Sequence, residues 1–283
     1  MPATCWIDGV LTSLADARIP VTDRGFLWGD HVFEVVRARG AALCDGPAHL
    51  ARLAASARLV RLPAPDLPRV EAAIAATLAA AGEEEAGVRV VWTRGDPAPA
   101  AGGPRLVIIV EPLPAPPAGV RLAVVRGGRG GGLVPAAAKS GNYLGSALAL
   151  AAAADRGADD ALLVDEHDRA LETATASLFV VRGQAVATPT GALLPGVTAA
   201  RVATLLGAAG FVVRARPVAL AEVRAADELF VTSSRRGPVA VVALDGATRA
   251  PGPVTAAAVV AYQAWIATQA PGATGVPAPP TGL

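Results

Sequence analysis

The spacing of hydrophobic and polar positions changes several times along this chain, and each change marks a predicted element. Residues 5–8 and 32–37 have strand character, and Asp8-Gly9 is a hairpin signal because a two-residue turn needs positive φ values. The run Arg37-Ala38-Arg39-Gly40 turns into a short partner strand that ends at Asp45-Gly46. From Pro47 the period lengthens: proline suits the first turn of a helix, and Leu50, Leu53, Ala54, Ala57 and Leu59 then share one apolar face. A second helix is predicted over 67–80 and stops at Gly82, and β-branched runs at 88–93 and 106–111 predict two more strands.

Residues 112–119, PLPAPPAG, interrupt this pattern. Proline fixes an extended backbone and cannot donate to a strand ladder, so the segment reads as a linker between two domains, 1–111 and 120–270. Beyond it come strands at 120–125, 161–165, 178–181, 185–188, 228–232 and 239–244, and helices at 144–154, 197–210 and 254–268. The tail 271–283 offers almost nothing to bury and is expected to be disordered. The predicted class is α+β, with a smaller N-terminal α/β domain and a larger C-terminal one.

Composition narrows the partners. The 283 residues are 53% hydrophobic and 17% charged, which suits a compact protein with a sizeable core. A net charge of +1 with interspersed signs leaves no electrostatic footprint for nucleic acid or an anionic membrane. No apolar stretch has the length of a membrane span, and no basic segment precedes an apolar run at the N-terminus. Cys5 and Cys44 lack metal-ligand spacing and are expected to be reduced thiols in a cytoplasmic protein. His31, His49 and His167 are separated in sequence, so no metal site is expected.

Lys139 is the only lysine among 25 basic residues. An amine that loses its proton can attack a carbonyl, which a guanidinium cannot do; a stray of composition bias is the other reading. GGRGGG, 127–132, lacks the lysine-serine ending of a phosphate loop and reads as a mobile loop. LLPGVT, 193–198, leads a glycine into a helix, where the N–H groups of Val197 and Thr198 suit an anion or simply begin a helix with Thr198 near the cap. Glu172 lies among small and apolar neighbours, which suggests a cationic partner, either an arginine or a cofactor. Arg52 falls on the apolar helix face, where a surface arginine lying along its own stem is the plain reading.

In their order and spacing these segments resemble one family. DRGFLWGDHVFEVVR (23–37), HLARL (49–53), TRG (93–95), KSGNYL (139–144), GADDALLVDEHDRALE (157–172), LLPGVTAARV (193–202) and ADELFVTSS (226–234) are similar to the class IV aminotransferases. These are the fold type IV enzymes related to D-amino-acid aminotransferase, which use pyridoxal 5'-phosphate and include branched-chain transaminases and aminodeoxychorismate lyase. The resemblance implies that 120–270 binds the cofactor and that Lys139 forms a Schiff base with it. Glu172 then pairs with the pyridine nitrogen, while Arg52, Val197, Thr198 and Ser234 hold the phosphate. Phe33, Arg94 and Tyr143 are the implied substrate-side residues. An amino donor, a 2-oxo acid acceptor and a homodimer follow from the same resemblance.

The pattern also departs from its relatives. Ala176-Ser177 stands where Ser-Asn is common, Ala199 where an arginine often follows the threonine, and Ser234 where threonine is frequent. The lysine-to-Tyr143 interval is one residue shorter than in branched-chain enzymes, and Asp96 to Pro104 lacks the Arg-x-His carboxylate trap of one D-amino-acid group. The expected activity is transamination, with aminodeoxychorismate lyase as the second reading and a non-catalytic binder as the third. Phe26, at a position where some lyases carry a hydroxyl, leans away from the lyase.

Overall fold

A computed structural model describes residues 4–96, 103–128 and 133–269. Residues 129–132 of the glycine-rich loop, most of the shortened loop after Asp96, and the tail 271–283 lie outside the described residues. The chain divides into two compact units, the first running to Pro114 and the second opening at Ala115.

The first unit contains β1 (Thr4–Ile7), β2 (Val10–Ser13), α1 (Arg24–Trp28), β3 (His31–Arg39), β4 (Ala42–Leu43), α2 (Gly46–Leu59), α3 (Leu67–Ala81), β5 (Glu85–Thr93) and β6 (Arg105–Pro112). Its sheet has the order β2-β1-β6-β5-β3-β4, with antiparallel pairing throughout. At the predicted hairpin Ile7 faces Val10 across Asp8 and Gly9, whose φ values are 47° and 108°. One sheet face carries Trp6, Val32, Val88, Val90, Trp92, Leu106 and Ile108, and it packs against Leu50, Leu53 and Ala57 of α2 and Val70, Ile74 and Leu78 of α3. Each fully buried aliphatic side chain contributes about 1.5–3 kcal/mol, so this layer is what holds α2 in register with β3. Asp66 caps α3 by accepting from the Arg69 N–H, and Gly82 ends it in the left-handed conformation.

The short helix α1 has no apolar period to announce it. It forms because Asp23, fully buried, accepts hydrogen bonds from the Gly25 N–H, the Thr93 hydroxyl and Arg105 Nε.

Residues Ala138–Tyr143, expected within the C-terminal domain, belong to the first unit. Beyond β4, which covers only Ala38 and Arg39, the outer edge of β3 is open, and this segment fills it. Val32 and Ser140 form an antiparallel bridge, the Phe33 N–H donates to the Lys139 carbonyl at 2.9 Å, and the Gly141 N–H donates to the His31 carbonyl at 2.8 Å. Gly141 permits the approach, since a Cβ there would run into the His31 ring.

The second unit contains β7 (Val120–Arg126), α4 (Leu144–Ala154), β8 (Asp160–Val164), β9 (Arg169–Thr173), β10 (Ser177–Arg182), β11 (Ala185–Pro189), α5 (Val197–Ala208), β12 (Val212–Arg216), β13 (Val218–Ala219), α6 (Leu220–Arg224), β14 (Glu228–Ser233), β15 (Gly237–Leu244), β16 (Ala247–Thr248) and α7 (Pro253–Ala267). The sheet runs β12-β11-β10-β14-β15-β7-β8-β9-β13, with β16 alongside β15. Parallel pairs β7–β8 and β11–β12 are joined through α4 and α5, as parallel strands require a crossover.

Leu178, Val180, Leu229 and Val231 fill one core of this sheet. On the opposite face Phe179 stacks on Phe230 at 4.6 Å. The Glu228 carboxylate accepts from the N–H groups of Val254 and Thr255, which satisfies the start of α7. Among the described residues no helix is long and apolar enough to cross a membrane, and Cys5 and Cys44 are buried, unpaired thiols.

Candidate active site

In the first unit the structure gathers Lys139, Phe33 and Tyr143. Phe33 and Tyr143 meet edge to face at 5.3 Å, and Lys139 Nζ lies 4.6 Å from the Phe33 ring centre and 6.0 Å from that of Tyr143. The backbone under the lysine is pinned on both sides, by β3 and by its own N–H donating to Ser56 Oγ of α2 at 3.0 Å. Ser56 is fully buried, so the anchor is shielded from competing water. The shortened interval to Tyr143 therefore still leaves that ring beside the lysine.

Arg52 is not the surface arginine of the plain reading. Its Nε and Nη2 donate to the two oxygens of Glu34 at 2.7 and 2.8 Å, and His49 Nδ1 lies 2.8 Å from Glu34 Oε2. Burial opposes ionisation of Glu34, yet the Arg52 charge, its hydrogen bonds and His49 outweigh that cost and hold the carboxyl far below the usual carboxylate range. Glu34 points to the helix side of β3, where the alternation places Val32 and Val36, and meets α2 one and two turns in.

Arg94, expected on the substrate side, is employed otherwise. Its guanidinium donates to Asp30 at 2.7 Å and to the carbonyls of Arg61 and Val60 at the end of α2. These bonds engage its donors at the end of α2.

The sequence reading missed Arg89. It sits on β5 opposite Val35, on the sheet face of Phe33, with its guanidinium carbon 5.2 Å from the Phe33 ring centre. An arginine interrupting VRVVW at a position facing neither α2 nor α3 was the available signal.

In the second unit Glu172 lies within β9 and is buried, with Oε1 accepting from the Leu194 N–H at 3.0 Å. That bond ties β9 to the loop that becomes α5. The helix begins at Val197 after Gly196, and no side chain caps it. Val197 and Thr198 are buried at this start, and a Cβ on Gly196 would collide with Ser177 Oγ. Ser177 pairs directly with Thr232 of β14, so both side chains leave the same sheet face, and the buried Thr232 hydroxyl has no hydrogen-bond partner among the described residues. Ser234 follows β14 directly and is half-buried. Ala176 is absorbed into the core and Ala199 is buried.

An amino-transferase class IV family model matches residues 31–244. The chain is 32% identical to the "Putative branched-chain-amino-acid aminotransferase" of Methanocaldococcus jannaschii over 254 residues, 85% of this chain and 88% of the relative. It is 34% identical to the bifunctional aminodeoxychorismate lyase / D-amino acid transaminase of Mycobacterium tuberculosis over 181 residues, 59% of this chain and 62% of the relative. Its fold matches a hypothetical aminotransferase from Mycobacterium tuberculosis, in an alpha-ketoglutarate and PMP bound form, at a TM-score of 0.82 and 25% identity, over 91% of this chain and 98% of the other. The chain belongs to the class IV aminotransferases, with the fold of the type IV transaminases and pyridoxal 5'-phosphate as the cofactor of its class.

The groups present fit that cofactor. A half-buried primary amine over an aromatic ring suits a carbonyl, and a buried carboxylate suits a protonated ring nitrogen. A helix start without a side-chain cap, near an unpartnered buried hydroxyl, suits a phosphate.

Proposed function

We propose that this chain moves an amino group from an amino acid to a 2-oxo acid, with Lys139 as both the anchor of the cofactor and the proton carrier. The observation that carries the reading is the placement of the only lysine in the chain, pinned through its backbone to β3 and α2 with its amine against Phe33 and Tyr143.

Bound pyridoxal phosphate supplies an electron sink for the bond broken at the substrate Cα. Lys139 Nζ would take up the proton lost from the substrate Cα in the first half-reaction and return one to Cα in the second. The Glu172 carboxylate holds the proton on the ring nitrogen, and Leu194 fixes the direction of that carboxylate. The N–H groups of Val197 and Thr198 and the Ser234 hydroxyl would bind the phosphate, and the family resemblance assigns Arg52 to the same group. Glu34 and His49 keep Arg52 from swinging away.

The names borne by relatives direct a donor screen first to branched-chain amino acids and to glutamate, the amine that corresponds to 2-oxoglutarate, each in both enantiomers. Mixed with cofactor-loaded protein, a true donor shifts the cofactor absorbance, and 2-oxoglutarate restores it. Aminodeoxychorismate lyase activity is the second reading, favoured by the bifunctional relative. Release of 4-aminobenzoate without response to any amino donor would put it first.

The protein is proposed to work in the cytoplasm as a homodimer. The exposure of Phe26 and Trp28, 62% and 61%, supports an apolar surface that a second copy covers, and a mass of one chain in solution would refute the dimer.

A further inference from the structure

The short turn between β9 and β10 joins the two ends of the proposed cofactor cradle in the second unit. Glu172 lies just before it, and Ser177, whose hydroxyl borders Gly196 at the start of α5, lies just after. The strand is irregular at this place. Two steps of β8, from Leu162 to Val164, face three of β9, from Thr173 to Ala170, so β9 bulges at Leu171 and Glu172. A bulge re-aims a side chain, and a slip of one residue would send it to the other face of the sheet. The hydrogen bond from the Leu194 N–H to Glu172 therefore depends on what keeps the bulge in register.

Asp160 holds the turn. It is 1% exposed at the start of β8, and its carboxyl oxygens receive three hydrogen bonds. Oδ1 accepts from the Ala161 N–H at 2.8 Å, and Oδ2 accepts from the hydroxyls of Thr173 at 2.9 Å and Thr175 at 2.5 Å. The Thr173 hydroxyl in turn accepts from the N–H groups of Thr175 and Ala176, so the acid reaches the backbone of the turn through one side chain. Arg236 carries the network toward the phosphate end. Its Nη2 donates to Thr175 Oγ1 at 3.0 Å and lies 3.9 Å from Asp160 Oδ2, and its Nε donates to Ser233 Oγ, next to Ser234. Donors that lose a buried acceptor are costly to leave unpaired, so without this acid the turn would settle in another geometry.

We propose that Asp160 is a positioning residue of the cofactor site: it holds the 173–176 turn, and with it the bulge that aims the Glu172 carboxylate at the ring nitrogen. The assignment rests on the transaminase reading and adds to it a residue that acts through Glu172 rather than on the cofactor. Arg236 ties the same hub to the segment of Ser234, so one buried group sets both ends of the cradle. Asparagine at this position keeps the volume but has a single accepting oxygen. It cannot serve the Ala161 N–H and the two hydroxyls together, so Glu172 would keep its charge and lose its direction.

The test compares Asp160→Asn, Glu172→Gln and the double variant with the wild type as cofactor-loaded protein. Borohydride labelling at Lys139, with Lys139→Ala as the control, and a spectral change on Glu172→Gln come first. If either is missing, the reading of Lys139 and Glu172 fails and this assignment falls with it, whatever Asp160 does. The pH midpoint of the bound cofactor's absorbance and the Kd of pyridoxal 5'-phosphate are then measured. Asp160→Asn is expected to move the midpoint in the same direction as Glu172→Gln, by a smaller amount, and to raise the Kd roughly tenfold, the size of one hydrogen bond to a charged group. Added to Glu172→Gln, it should leave the midpoint where Glu172→Gln alone puts it, because nothing remains to be aimed. Gly252→Ala, which crowds Glu228 in the same unit, controls for lost stability and should leave the midpoint unchanged. A folded Asp160→Asn protein with the wild-type midpoint overturns the proposal. So does a shift that adds in full to that of Glu172→Gln, or one that Gly252→Ala reproduces. If Asp160→Asn does not fold, Thr175→Val, at an exposed residue, takes its place under the same criteria.

Discussion

Replacing Glu34 by glutamine tests the buried cluster that holds Arg52. Glu34 has no solvent-exposed side-chain surface and receives Arg52 Nε, Arg52 Nη2 and His49 Nδ1, all within 2.8 Å. Glutamine keeps the volume but removes the charge, leaving a guanidinium with 11% side-chain exposure facing an amide. Breaking a buried pair by removing one partner costs about 3–5 kcal/mol, and a chain of this size loses roughly 2–4 °C per kcal/mol. A fall of about 6–20 °C in the melting of the cofactor-free protein is therefore expected. Tryptophan fluorescence is a suitable probe, because Trp6 and Trp92 lie in the core that α2 covers.

The pH dependence follows from the sign of the shift. The folded carboxyl is depressed, so its stabilisation is complete above the unfolded glutamate value of about 4.3 and is lost as pH falls below it. The stability gap between wild type and Glu34→Gln should be constant from neutral pH down to about 5 and narrow in stronger acid. A gap below about 1 kcal/mol, the size of a surface pair, would refute the reasoning. So would a gap that persists undiminished at the acid limit of folding.

Lys139→Ala should abolish the borohydride-fixed adduct of cofactor-loaded protein while leaving the melting of the first unit nearly unchanged, because the anchors at this position are backbone groups; mass mapping and fluorescence melting check both. Gly196→Ala should weaken cofactor retention, as the new methyl meets Ser177 Oγ at the start of α5, and adding Ser177→Ala should recover part of the affinity in an equilibrium titration. Gly252→Ala should displace the Glu228 carboxylate from the N–H groups of Val254 and Thr255 and destabilise the second unit by about 1–3 kcal/mol in urea, measured by circular dichroism.

Much of the scaffold was legible because its signals are local. The apolar period of α2 and α3, the Asp8-Gly9 turn and the β-branched runs of β5 and β6 each depend on residues a few positions apart. Elements without a period escaped: α1 is made by Asp23, and β12 is an edge strand whose exposed positions show little apolar alternation. The strand β9 that carries Glu172 escaped as well, because it is short and bounded by charged and hydroxyl residues.

For the site, the chain itself determined the reacting group. One lysine among many arginines, a carboxylate among apolar neighbours and a glycine-led helix are facts of composition and order, and the family resemblance rests on them. Tertiary structure alone decided what surrounds each. Glu34 meets Arg52 across 18 positions, and Ser56 reaches the Lys139 backbone across 83. The same pairing tied Arg94 to Asp30 and set Arg89 beside Phe33. Periodicity says which face a side chain leaves from, but which charge waits there depends on strands brought together by folding, and electrostatic partnership is set by that distance rather than by position in the chain.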